Sequence, residues 1–183
     1  MPFSWVPLLL ALLLAAVATD LRSRRIPNTL VLAGIALALL SHAIALSGMG
    51  QPLAGTSWWA PLAGLAAGLA ALMPLYLLRA LGAGDVKLMA MVGAFVGPPT
   101  VLTATLYTLL AGGLLSLAVM LGQGVAARTL ANVRFLLVDW AMRLRSGHGG
   151  VTLSATPLET TAARLPYALA ISAGTVAALV QAH

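Results

Sequence analysis

The stretch from Gly82 to Leu121, GAGDVKLMAMVGAFVGPPTVLTATLYTLLAGGLLSLAVML, decides how this chain folds. Its only charges, Asp85 and Lys87, stand near its start, and the rest runs apolar to the end. A helix rising 1.5 Å per residue needs about 20 apolar residues to cross a hydrocarbon core about 30 Å thick. Val101 to Leu121 meets that length, whereas the run from Val86 to Val96 is cut short by Pro98-Pro99. Helices do not continue through a proline pair, so the spacing predicts two spans here, the first a short one.

Working outward, the same signature recurs on both sides. Spans are predicted at about 3–19, 29–46, 58–78, 86–96, 101–121 and 165–180, which makes residues 1–183 a single all-α, polytopic integral-membrane domain with about six transmembrane helices. The composition agrees, with 61% hydrophobic residues and a mean hydropathy of +1.00. Ten Lys and Arg and four Asp and Glu cannot cover a soluble globule of this size. The N-terminal run lacks the basic region and the small-residue cleavage site of a secretory signal, so it is expected to remain as the first span.

The formal charge of +6 raises the question of nucleic acid in a soluble protein, but in a membrane protein it speaks first to topology. With six spans, Arg22, Arg24 and Arg25 fall in the first loop, Arg79 and Lys87 in the third, and Arg128, Arg134, Arg143, Arg145 and Arg164 in the fifth. All ten basic residues then share one face, which the positive-inside rule makes cytoplasmic, with both termini outside. Removing the short fourth span would scatter them, so the charge pattern supports it. No nucleic-acid partner is expected.

The fifth loop, 123–164, is the one long polar segment. Leu130, Val133, Leu137, Trp140 and Leu144 recur in it at spacings of three and four, which predicts an amphipathic helix lying on the lipids of the cytoplasmic leaflet. Gly64, Gly68 and Ala71, like Gly112-Gly113, offer small faces for close helix packing. Trp58-Trp59 suits an interfacial belt. No cysteine is present, and His42, His148 and His183 show no ligand spacing, so neither a metal nor another cofactor is expected.

The acids carry the chemistry. Asp20 ends the first span and Asp85 begins the fourth, on the same predicted side. An ionisable residue at the membrane is costly unless it faces protein or a wet cavity, which makes both candidate catalytic residues. Two nearby carboxylates do not ionise together cheaply, so one holds a proton while its partner acts as a base. Such a pair activates water against a peptide carbonyl without a nucleophilic side chain or a metal. In Gly82-Ala83-Gly84-Asp85-Val86-Lys87 the glycines are expected to let the backbone turn and approach a peptide, and Asp85 to cap its helix. After Asp20 a basic turn leads to Ile26-Pro27-Asn28, where Pro27 and Asn28 suit the start of the second span.

Asp20 followed by Ile26-Pro27-Asn28, and the Gly82-x-Gly84-Asp85-x-Lys87 box before a short span, resemble the prepilin peptidases, the intramembrane aspartic proteases of the GxGD type. The resemblance extends over nearly the whole chain and includes the spacing of 65 residues between the two acids. It implies that Asp20 and Asp85 are the catalytic pair in the bacterial inner membrane. The implied substrate is a type IV prepilin or pseudopilin precursor, whose basic leader is removed at the cytoplasmic face. The chain has no cysteine-bearing cytoplasmic loop, so it looks like the short, peptidase-only form associated with tight-adherence (Flp) pili, without N-methylating activity. Gly82, Gly84, Lys87, Pro27 and Asn28 are the expected site-shaping or substrate-binding residues; Asp139 and Glu159 are more remote candidates for leader contacts. A small transporter or channel subunit using the two acids as a proton or cation site is the competing reading, although such a site usually lies nearer the midplane. A structural anchor for a secretion machine would leave the Gly82 to Lys87 box without a purpose.

Overall fold

The computed structural model describes residues 5–49, 54–78, 80–122 and 167–182, and every regular element among them is helical. The chain divides into two units, one of residues 1–113 with 166–183 and one of residues 114–165. In the second unit the described residues are 114–122, which are helical. The amphipathic helix expected within 123–164 lies outside the described residues. All contacts below belong to the first unit.

Helix α1 covers Val6–Ser23 and opens with Pro7 in its first turn. It runs past the expected end at Thr19, because the side chains there satisfy its last carbonyls. Ser23 Oγ donates to the Thr19 carbonyl at 2.8 Å, and Arg24, left-handed at φ 52°, returns its N–H to the Asp20 carbonyl. Asp20 therefore lies inside the final turns of α1. Helix α2, Asn28–Ile44, passes into a π-helical turn at Ala45–Met49, and α3 spans Ala60–Leu77. Near the end of α2, His42 is buried and its Nε2 donates to the Ser57 carbonyl at 3.0 Å, which ties α2 to the segment leading into α3.

Helix α4, Ala83–Gly122, contains the two spans expected at 86–96 and 101–121. They part at Gly97, whose φ of 78° and ψ of 174° lie far from helical values and in a region essentially restricted to glycine. The expected break at Pro98-Pro99 thus falls one residue early. The prolines instead begin the second leg, where a missing N–H costs nothing. The contacts show that the chain changes direction between the two legs. Gly112 faces the Tyr167 ring, whose next residue, Ala168, donates its N–H to Asp20, and Asp20 is close enough to Asp85 for its charge to act there. A straight helix would separate positions 85 and 112 by about 40 Å. The last helix, α5, covers Tyr167–Ala182. It runs antiparallel to the second leg, since Gly174 faces Thr108 and Ala104 farther along.

The first leg forms the core of this unit. From Leu88 to Gly97 every residue is buried, and Leu88, Met89, Met91, Val92 and Phe95 pack with Leu9 and Leu13 of α1, Val31 of α2, Leu72 of α3 and Ile171 of α5. A helix that is apolar on every side belongs inside a bundle, which explains how so short an apolar run is accommodated. Helix α3 approaches it backbone to backbone. Gly64 and Gly93 meet backbone to backbone, so that a Cβ on either would collide with the other's carbonyl oxygen, and a Cβ on Gly68 would lie 2.5 Å from the Met89 oxygen. This is the small-residue packing expected of Gly64 and Gly68. Gly112 likewise accommodates the Tyr167 ring, whereas Gly113 faces open space.

The outward faces carry large aliphatic side chains, among them Leu14, Leu32, Leu106 and Leu110, each at least 64% exposed. A soluble monomer does not display apolar surface on this scale. By length and composition, Val6–Ser23, Asn28–Gly48, Ala60–Leu77 and Ala83–Val119 are able to cross a membrane, and Tyr167–Ala182 is a shorter apolar helix.

Candidate functional site

The two sequence motifs meet at one end of the first unit. The turn from Arg24 to Pro27, between α1 and α2, lies against the start of α4. A Cβ on Gly84 would lie 3.3 Å from Ile26 Cβ. Beside it, Lys87 Nζ donates to Asn28 Oδ1 at 3.0 Å across 59 residues of sequence. The Ile26-Pro27-Asn28 segment and the Gly82 to Lys87 box therefore form a single interlocked element.

Asp85 is the third residue of α4 and does not occupy the cap position expected of it. Its Oδ2 accepts the N–H of Gly82 at 3.2 Å, while its own N–H donates to the Gly82 carbonyl at 3.2 Å. This is the back-bonding half of a capping box, and it holds the carboxylate at the helix N-terminus, where negative charge is favoured. The two glycines are not in left-handed conformations. They matter here for the space they leave: Gly82 lies against the Asp85 carboxylate and Gly84 against Ile26.

Asp20 is buried, at 8% exposure, on the inward face of α1. Its Oδ2 accepts the N–H of Ala168 at 3.2 Å. Ala168 is the second residue of α5, so this N–H is one that the helix itself leaves without an internal partner. Each acid is thus held through one oxygen by a backbone N–H at the start of a helix. The two carboxylates lie within electrostatic reach of each other, and Tyr167 lies within reach of Asp85.

Of the residues expected to shape the site, Asn28 and Lys87 are joined to each other, Gly82 and Gly84 flank Asp85 and Ile26, and Pro27 occupies the cap position of α2 with φ −62° and ψ 132°. Asn28 does not cap α2; its side chain is committed to Lys87. Lys87, expected to shape the site or bind substrate, gives its hydrogen bond to Asn28. Asp139 and Glu159 lie outside the described residues. The Ala168 amide and Tyr167 went unread in the sequence, because a backbone donor leaves no signature and α5 carries no acid, base or recognisable motif. Among the described residues, no group of three or more His, Cys, Asp and Glu could hold a metal ion.

The arrangement sets two carboxylates within range of each other's charge, each bound by a backbone donor. Two such groups, when water bridges them, can take a proton from one partner and give one to another.

The family model described as the type IV leader peptidase family matches residues 7–117. That stretch contains Asp20, the Ile26-Pro27-Asn28 segment and the whole Gly82 to Lys87 box, and it ends before α5. No curated protein and no solved structure matches the chain.

Proposed function

The chain belongs to the type IV leader peptidase family and is therefore a peptidase, and from that premise we propose that it is an aspartic endopeptidase that cuts the basic leader from type IV prepilin-like precursors by means of Asp20 and Asp85. The observation that carries the reading is the interlock of the two motifs, Ile26 on Gly84 and Asn28 on Lys87, which holds the two acid-bearing helix ends together.

In the proposed reaction one carboxylate takes a proton from a water molecule as the water oxygen attacks the scissile carbonyl. The protonated partner donates to the carbonyl oxygen as it becomes a hydroxyl. When the tetrahedral species collapses, the C–N bond breaks, a proton passes to the leaving amine, and the carbonyl is restored as a carboxylic acid. One water is consumed and no bond to the enzyme forms. The donors at Gly82 and Ala168 each engage an Oδ2 atom, so the reading assigns the Oδ1 atoms to water and substrate. Which acid is the base is a property of the coupled pair.

The proposed setting is the bacterial inner membrane, with the two legs of α4 as separate crossings among six, the acids at the cytoplasmic face and both termini outside. Basic residues gathered on one face support this topology. The precursor would be a prepilin or pseudopilin with a short basic leader and an apolar segment behind it, and without a methyl-transfer step after cleavage. The test is co-expression with such a precursor, following its mobility on a gel. The leader is expected to be lost when the chain is present, and a precursor that stays intact in the membrane beside the folded protein defeats the proposal.

A further inference from the structure

A cavity of about 280 Å³ opens beside the site between α2, α3 and the first leg of α4. Its walls are Val31, Leu32 and Ile35 of α2, Leu65 and Leu69 of α3, and Ala90 of α4, and its polar residues are Asn28 and Lys87. Those two are the hydrogen-bonded pair that joins the motifs, so the polar end of the cavity lies at the interlock, about 200° around α4 from Asp85. From Asn28 to Ile35 the groove descends α2 for about 10 Å, or two helical turns. Its walls become wholly apolar away from the acids.

Resting on the peptidase reading above, we propose that this groove receives the first apolar side chains that follow the scissile bond of the substrate. Three observations point to this occupant. The groove is continuous with the site through Asn28 and Lys87. Its polarity changes from polar to apolar in the direction leading away from the acids, as does a peptide whose cut end is polar and whose following segment is apolar. An apolar cavity of about 150 Å³ holds a benzene-sized group, so 280 Å³ takes one or two large side chains and not a whole helix. The groove thus acts as a specificity pocket that sets which residues follow the cut, with the substrate passing around the start of α4 between Asp85 and the groove.

The test replaces half-buried Ile35 with the photo-crosslinking residue p-benzoylphenylalanine in a protein that also carries Asp85→Asn, mixed with purified precursor in vesicles. Adducts are expected on the residues of the precursor just after the cleavage site. Adducts only with lipid acyl chains, or only with a second copy of the chain, overturn the proposal. In parallel, Leu65→Trp and Leu69→Trp fill the groove in the otherwise unaltered protein. Each is expected to raise KM for the precursor at least tenfold, on the order of one lost aliphatic contact, with kcat little changed. An unchanged KM in both folded variants overturns the inference while wild-type cleavage upholds the peptidase reading. Failure of the wild type to cleave counts against that reading instead, and the crosslink still reports on the groove.

Discussion

Ile26 and Gly84 offer the sharpest test of the interlocked motifs. A Cβ placed on Gly84 lies 3.3 Å from Ile26 Cβ, 3.6 Å from its Cγ1 and 3.7 Å from its Cδ1. Gly84→Ala therefore asks for a movement of a few tenths of an ångström, and its leader-cleavage rate is expected within about threefold of wild type. Gly84→Val carries two γ carbons and cannot turn both away from Ile26, so the turn after α1 must move off the start of α4. Overpacking of this kind costs about 1–3 kcal/mol. A displacement near 1 Å at a reacting pair costs about 10²-fold in rate, which is the loss in kcat/KM expected for Gly84→Val. Ile26→Ala keeps the Cβ but removes the Cγ1 and Cδ1 atoms that the valine γ carbons would meet. Combined with Gly84→Val it is expected to recover at least tenfold, a coupling of about 1.4 kcal/mol. The assay is initial-rate leader cleavage by purified proteins in detergent, with thermal melting to confirm that every variant is folded. A folded Gly84→Val at the wild-type rate, or a double variant no better than Gly84→Val alone, refutes the reasoning.

Three further outcomes follow from the packing. Gly64→Ala and Gly93→Ala force α3 and the first leg of α4 apart where backbone meets backbone, and each is expected to lower the melting temperature, by a stability loss of about 1–3 kcal/mol; Gly113→Ala faces open space and is expected to leave it unchanged or raise it. Gly97→Ala imposes a side chain at φ 78° with the Ala54 carbonyl oxygen 2.5 Å from its Cβ, and limited proteolysis is expected to cut this variant faster than wild type near the reversal, with a stability loss of at least about 1–3 kcal/mol. The exposed hydrogen bond between Lys87 and Asn28 is worth about 1 kcal/mol, so Lys87→Met and Asn28→Ala are each expected to slow cleavage by less than tenfold, and the double variant to be no slower than the worse single one.

The helices were legible because apolar length is a one-dimensional property of a chain. The runs around α1, α2, α3, α5 and both legs of α4 all appear in the sequence, with ends shifted by a few residues where side chains complete a terminus, as Ser23 does for α1. The reversal was placed at Pro98-Pro99, but the residue that makes it is Gly97, since prolines begin a helix as readily as they end one. The candidate site was legible as two motifs, which named Asp20 and Asp85 as the expected pair. Their surroundings were not legible. The donor to Asp20 is a backbone N–H 148 residues away, and the partner of Gly64 is another glycine. Both contacts depend on which helix faces turn toward each other, which composition along a single helix does not specify. The same holds for Asn28, which by type and position suits a cap, yet lies within reach of a lysine on another helix.

The central claim is that Asp20 and Asp85 act as one unit. The most direct measurement is single-turnover cleavage of a purified precursor by the wild type, Asp20→Asn, Asp85→Asn and the double variant, all reconstituted in vesicles and shown to be folded. The account predicts that each single variant loses at least about 10³-fold in rate and that the double variant is no slower than either, as for groups that work only together. A folded single variant that keeps more than a tenth of the wild-type rate would contradict it.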